Sequence, residues 1–212
     1  MMKIPQPPAH ATTGRVLHGA NVYDLLAFLF TRGRERQLRD RMIQLARLDF
    51  GNSVLDIGCG TGTLAIAAKK RVGSAGAVFG IDASPAMVAK ATRKSARARV
   101  DVTFANAVVE ALPFPDARFD VVLSTLMLHH LPRPVRRQCA AEIRRVLKSR
   151  GRLLVVDFGR PQAKTGILAH VHRHGHVDLA DVRAMLADAG FALTEDGPVG
   201  FSSLHFVLAT AP

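Results

Sequence analysis

Val54-Leu55-Asp56-Ile57-Gly58-Cys59-Gly60-Thr61-Gly62 decides how this chain is read. A short apolar run of β type ends in an acid. Glycines follow at alternate positions, and a helical pattern starts at once. Reversal from strand into helix needs backbone geometry that residues with a Cβ resist. It also brings the main chain close enough to touch a ligand. Asp56, at the strand end, can orient the loop and bind a cation. Strand, glycine turn and helix together make the nucleotide-binding corner of doubly wound α/β folds. The bland alternative is a tight turn with no ligand.

A second acid follows at the expected place. Ala77-Val78-Phe79-Gly80-Ile81-Asp82 reads as the next strand, and Asp82 falls 20 residues after Gly62. An acid there can accept both ribose hydroxyls of an adenosine ligand. Ser84 then caps a helix that has Pro85 at its first position. The glycine spacing separates two ligand classes. Dinucleotide oxidoreductases favour G-x-G-x-x-G, which would put a glycine where Thr63 stands. The spacing here is G-x-G-x-G.

Further along, Glu110-Ala111-Leu112-Pro113-Phe114-Pro115-Asp116 leads into the buried-strand pattern Phe119-Asp120-Val121-Val122-Leu123-Ser124. His129-His130-Leu131-Pro132 comes next. Leu147-Lys148-Ser149-Arg150-Gly151-Arg152-Leu153-Leu154-Val155-Val156-Asp157 follows. With the glycine turn, these four motifs resemble the class I S-adenosylmethionine (SAM) methyltransferases. The likeness is greatest to the small-molecule branch that includes the ubiquinone/menaquinone C-methyltransferases. It covers roughly residues 50–160, and the flanks only weakly.

The resemblance implies a Rossmann-like α/β fold. Its mostly parallel, seven-stranded sheet is flanked by helices, with the last strand antiparallel. It implies SAM as cofactor and S-adenosylhomocysteine as product. The cofactor would meet Asp56, Gly58, Cys59, Gly60, Thr61 and Gly62. Asp82 would bind the ribose, with Ala83 and Met87 flanking adenine. For Met87, ordinary helix packing is the competing reading. Many relatives carry an aspartate before "E-x-LPF" that accepts from the adenine amino group. Ungapped, Val108 stands there and offers only backbone. With a short insertion, Asn106-Ala107 takes the place, and Asn106 is preferred. Thr125 ends the fourth strand on the same side. Ser149-Arg150 replaces the family's usual Pro-Gly, a change the turn is expected to accept.

His129 and His130 lie where the methyl group should sit, as catalytic candidates to act as base or orient an acceptor. The competing reading is a helix-start histidine that packs or caps. Tyr23, His130 and His174 are candidates for substrate contact. His170, His172, His174 and His176 alternate along one loop, but no cysteine or carboxylate joins them, so no metal is expected.

Organisation follows from composition. Residues 1–14 read as a mobile, Pro-containing tail, and 15–212 as one domain. Within it, 15–50 form N-terminal cap helices, an apolar one over 21–30 and an Arg-rich amphipathic one over 34–48. Residues 51–158 are the SAM-binding core. Residues 159–212 carry the acceptor-side loop, a helix over 178–189 ended by Gly190, and strands near 191–196 and 203–209. Two cysteines, the absence of a secretory pattern and the lack of a transmembrane-length run point to the cytoplasm, peripheral membrane contact being an open option.

The chain has 29 Lys+Arg against 17 Asp+Glu. Residues 69–99 carry eight basic residues and one acid, and residues 133–152 carry the same. Such faces attract nucleic acid or anionic lipid, or are simply solvated. One Tyr and no Trp leave little for bases to stack on, which argues against nucleic acid. The function expected is methyl transfer to a small-molecule or lipid acceptor, with an anionic membrane surface as a further partner. A silent SAM-binding scaffold and an RNA or protein methyltransferase are the alternatives. An oxidoreductase is disfavoured by Thr63.

Overall fold

The computed structural model describes Gly14, Thr31 and residues 33–159, 178–201 and 203–212. The rest of the expected tail, the apolar helix over 21–30 with Tyr23, and the loop with His170, His172, His174 and His176 lie outside the described residues.

In chain order the elements are α1 (Glu35–Leu45), β1 (Ser53–Ile57), α2 (Thr63–Val72), β2 (Ala77–Asp82), α3 (Pro85–Ala98), β3 (Thr103–Asn106) and β4 (Phe119–Thr125). After a 3-10 turn at Leu128–His130 come α4 (Arg133–Val146), β5 (Leu147–Phe158), α5 (Leu179–Asp188), β6 (Ala192–Pro198) and β7 (Leu204–Thr210). They form one seven-stranded sheet in the order β3-β2-β1-β4-β5-β7-β6. Strands β1 to β5 run parallel, and β7 is antiparallel to both of its neighbours. The expected fold class is the one observed.

The central strands read as unbroken apolar runs because helices cover both sheet faces. Alternate residues serve opposite layers. Leu55, Ile57, Phe79, Ile81 and Val122 pack with α4 and α5. Val54, Val78, Val121, Leu123 and Leu154 pack with α1 and α2. Order reverses at β1, which has β2 on one side and β4 on the other. A crevice opens beyond the strand ends at such a point. Among the described residues no helix is long and apolar enough to cross a membrane.

The helix signals read from sequence hold in detail. Ser84 caps α3 by accepting from the Met87 amide, with Pro85 at the first position. Asp178 caps α5 through the Ala180 amide, and Gly190 beyond its end has φ 83°. Ser149-Arg150, where Pro-Gly is usual, lies near the start of β5. Arg150 adopts φ 60°, while its amide donates to the Ala211 carbonyl at 2.9 Å. A Cβ-bearing residue in this left-handed region is strained by about 1–2 kcal/mol. Glycine relieves that strain but gains unfolded-state entropy. Arg150→Gly should therefore raise stability by about 0.5–1 kcal/mol, read from the urea midpoint. An unchanged midpoint would mean that this backbone is not strained.

Candidate functional site

β1 ends in Asp56-Ile57, and the chain then reverses through Gly58 (φ 66°), Gly60 (φ 53°) and Gly62 (φ 76°). A Cβ on Gly62 would stand 2.7 Å from the Phe104 ring and 2.8 Å from the Ala91 Cβ. Gly62 thus marks where β3, α3 and the start of α2 converge. A Cβ on Gly58 would overlap the Met127 side chain, so the loop after β4 crosses here.

Two carboxylates sit beneath this turn. Asp82 accepts from the Gly60 amide through Oδ2 at 2.9 Å and from the Ser84 amide through Oδ1 at 2.8 Å. Asp56 is 1% exposed and accepts a main-chain hydrogen bond from Ala65, in the first turn of α2. Its Oδ1 is buried with no protein partner. Burial, and next the charge of Asp82, push Asp56 up to about 8. Burial also raises Asp82, partly offset by the Ser84 and Gly60 amides. The Cys59 thiol is raised too, by burial and then by both acids, so it stays protonated and unreactive. A chain of formal charge +12 therefore holds a locally acidic spot beneath its glycine turn. A buried acceptor without a donor costs about 1–3 kcal/mol unless a ligand group covers it. A cationic ligand fits that requirement.

β2 and β3 end side by side, with Asp82 paired to Asn106. Asn106 Nδ2 donates to the Asp82 carbonyl at 2.9 Å, and the Ala107 amide donates to the same oxygen at 3.2 Å. Nδ2 is thereby used, and Oδ1 is the side chain's acceptor. Val108 lies two residues further on and is 8% exposed, and Val109 joins the core. The structure thus puts Asn106, rather than Val108, next to the second acid. Ala83 is half-buried in the same turn, while Met87 is 2% exposed. Thr125 ends β4, and Leu126 follows with φ 54°.

One predicted contact has a different side-chain partner. The buried Thr61 hydroxyl accepts from Lys94 Nζ at 3.0 Å. This ties α3 to the glycine turn, so Thr61 offers the site chiefly its main chain. Sequence reasoning missed Lys94, which sits 33 residues away with no motif around it.

On the other side of the crevice, His129 and His130 occupy the 3-10 turn rather than a helix start. His129 Nδ1 lies 2.7 Å from Asp157 Oδ1, with side chains 9% and 3% exposed. The His129 amide donates to Asp157 Oδ2 at 3.1 Å, and the Phe158 amide donates to Oδ1 at 2.8 Å. The carboxylate thus fixes the ring by two routes. In the tautomer in which Nδ1 donates to the carboxylate, Nε2 is the acceptor nitrogen. The His130 ring lies 3.9 Å from that of His129, and Phe158 meets His129 edge-on at 5.4 Å. Asp157 was not read as a site residue. Its signal was available, because it ends an apolar strand as Asp56 and Asp82 do. Among the described residues no cluster of His, Cys, Asp or Glu is suited to a metal.

A family profile described as "Methyltransferase domain" matches residues 54–151. Residues 54–151, just under half of the chain, are thus similar to a methyltransferase domain. A ubiquinone/menaquinone biosynthesis C-methyltransferase of Marinomonas is 33% identical over 165 residues, which are 76% of this chain and 65% of that protein. A demethylmenaquinone methyltransferase of Thermus thermophilus is 37% identical, over 66% of this chain and 62% of its own length. The chain thus spans under two thirds of these relatives. A SAM-dependent methyltransferase from Aquifex aeolicus shares the fold with TM-score 0.72 at 24% identity, over 82% of this chain and 89% of that one.

The paired acids give this domain a pH signature. Asp56 is raised from an ordinary 3.8 to about 8, so the folded state holds its proton where the unfolded state has lost it. Stability from this group is full below pH 4 and falls as pH rises towards 8. Asp56→Asn keeps the acceptor for Ala65 and removes the titration. Urea unfolding in mildly acid and mildly alkaline buffers should show wild type losing stability with pH more steeply than the variant. Parallel curves would refute the raised value.

Proposed function

We propose that the chain is a SAM-dependent methyltransferase acting on a small or lipophilic acceptor of quinone-like chemistry. The observation that carries the reading is the side-by-side ending of β2 and β3. Asp82 and Asn106 stand together beside the glycine turn of a segment similar to a methyltransferase domain. The names of the similar quinone methyltransferases support the acceptor class.

SAM supplies a methyl group already activated on a sulfonium. The protein's work is therefore positioning and exclusion of water. In this reading Asp82 accepts the two ribose hydroxyls with the lone pairs left by Gly60 and Ser84. Asn106 Oδ1 accepts from the adenine amino group, with Ala83, Met87, Ala107 and Val108 forming the surround. Main-chain groups of Gly58, Cys59, Gly60, Thr61 and Gly62, with Asp56 and Thr125, line the methionine end. A bound cationic donor would favour the ionised form of Asp56, its proton passing to solvent. On the acceptor side, Asp157 orients His129, and Nε2 takes the proton an acceptor must lose. His130 borders the same space. Tyr23 and His174 are proposed to contact the acceptor. Both cysteines are free, which supports a reducing, cytoplasmic setting.

Calorimetric titration with S-adenosylhomocysteine tests the cofactor. Each hydrogen bond to a charged group contributes about 1.5–3 kcal/mol, so loss of two in Asp82→Ala should weaken binding roughly 100-fold or more. Folded wild-type protein that binds no S-adenosylhomocysteine would overturn the reading. A separate test addresses the base. With an acceptor found by labelled-donor screening, His129→Ala should cut turnover by about 100-fold to 10,000-fold and leave S-adenosylhomocysteine affinity intact. Asp157→Asn should cause a smaller loss and an altered pH profile. Unchanged rates in both variants would reduce the dyad to a packing element.

A further inference from the structure

On the sheet face away from α4 and α5, α2 lies sunken between α1 and α3. The trough along it encloses about 1310 Å³. Its floor is one face of α2, with Thr63, Ile66, Ala67 and Lys70 at helical spacing. Arg36, Arg39 and Ile43 of α1 form one wall, and Lys94 and Arg97 of α3 form the other. Arg47 and Arg71 close the end where β1 begins. Seven cations thus face two lining carboxylates, Asp40 and Asp49.

Ion pairs take up part of this charge, but weakly. Arg36–Asp40 spans 4.0 Å and Arg71–Asp49 spans 3.9 Å, with all four side chains more than half exposed. Arg39–Glu35 and Arg47–Glu195 are shorter, at 2.7 and 3.0 Å. Arg39–Glu35 is part-buried, but the other three pairs are largely exposed, contribute little and are readily exchanged for another anion. Among the described residues, the lining and its two rim glutamates together hold seven cations and four carboxylates.

At the same end stands Phe50, directly after the trough residue Asp49 and packed beside Gly73 at the end of α2. Phe50 is 68% exposed, the most exposed large apolar side chain among the described residues. Cations flanking a projecting aromatic ring suit a membrane interface, where phosphates meet the cations and the ring enters the acyl boundary. Among the described residues no aromatic side chain lines the trough itself, so there nucleotide bases find nothing to stack on.

We propose that this trough, with Phe50 at its rim, is a docking surface for the phosphate groups of anionic phospholipids at a membrane. The inference rests on the reading of a lipophilic acceptor, because such an acceptor resides in a bilayer. The trough also reaches the site, since Lys94 lines one and holds Thr61 in the other. Docking would therefore place the crevice at the edge of the lipid surface.

Flotation of the full chain with vesicles of equimolar phosphatidylcholine and phosphatidylglycerol tests this. Wild type should bind these and not pure phosphatidylcholine, with affinity falling as salt rises. Lys70 and Arg97 are both exposed, so their replacement leaves the core untouched. Each basic residue near an anionic surface is worth about fivefold, so Lys70→Gln with Arg97→Gln should weaken vesicle binding about 30-fold. Phe50→Ser should weaken it about tenfold. Equal binding by wild type and both variants would overturn the proposal. So would tighter binding to duplex RNA than to vesicles at matched salt. S-adenosylhomocysteine titration of the same variants keeps the two readings apart. Normal titration with no vesicle binding removes the docking surface alone, and vesicle binding without titration removes the methyltransferase reading alone.

Discussion

Asp82 ends β2 with both carboxylate oxygens committed to main-chain donors, Gly60 on one side and Ser84 on the other. The first donor lies in the turn that follows β1, and the second opens the turn that follows β2. One side chain thus locks two adjacent strand–helix reversals together. The Asp82 carbonyl extends the lock to β3 through Asn106 and Ala107. Three strand ends are held in one plane by a single residue. The left-handed glycines of the first turn make this possible, because only they let the Gly60 amide come within reach of the neighbouring strand.

The arrangement has an electrostatic cost. Burial raises both Asp56 and Asp82, and the charge of Asp82 raises Asp56 further. Neither has a salt-bridge partner among the described residues, although the chain is strongly basic. Its cations instead lie on helices over the outer layers. A fold selected only for stability would place one arginine under this turn. A cationic ligand at these two acids would offset the cost.

Much of this was legible in the chain. The fold followed from apolar runs ended by acids and interrupted by glycine or proline, signals that depend on neighbours in sequence. The cap at Ser84 and the glycine beyond α5 are likewise local. What escaped depends on register across the sheet. Sequence reading prefers Asn106 over Val108 only by allowing a short insertion, which local patterns do not reveal. Strand pairing sets Asn106 against Asp82. Asp157 acquires meaning only because β4 and β5 pair Thr125 with Val156. That register carries the turn after β4 over the end of β5 and brings His129 onto the carboxylate. The trough escaped for the same reason, since its walls are helices far apart in sequence.

The acids at the strand ends divide the crevice by function. Asp56 and Asp82, at the ends of β1 and β2, have main-chain donors but no cation among the described residues, so they favour positive charge in a ligand. Asp157, at the end of β5, has His129 on it, so its charge is turned to holding an imidazole. The same residue type at the same topological place thus acts in opposite senses. The proposed methyl transfer would use both senses. The donor would bring positive charge to one half, and an acceptor that has a proton to lose would shed it in the other. A parallel sheet supplies the two halves a few strands apart, and strand order at the β1–β4 boundary sets which half each acid serves.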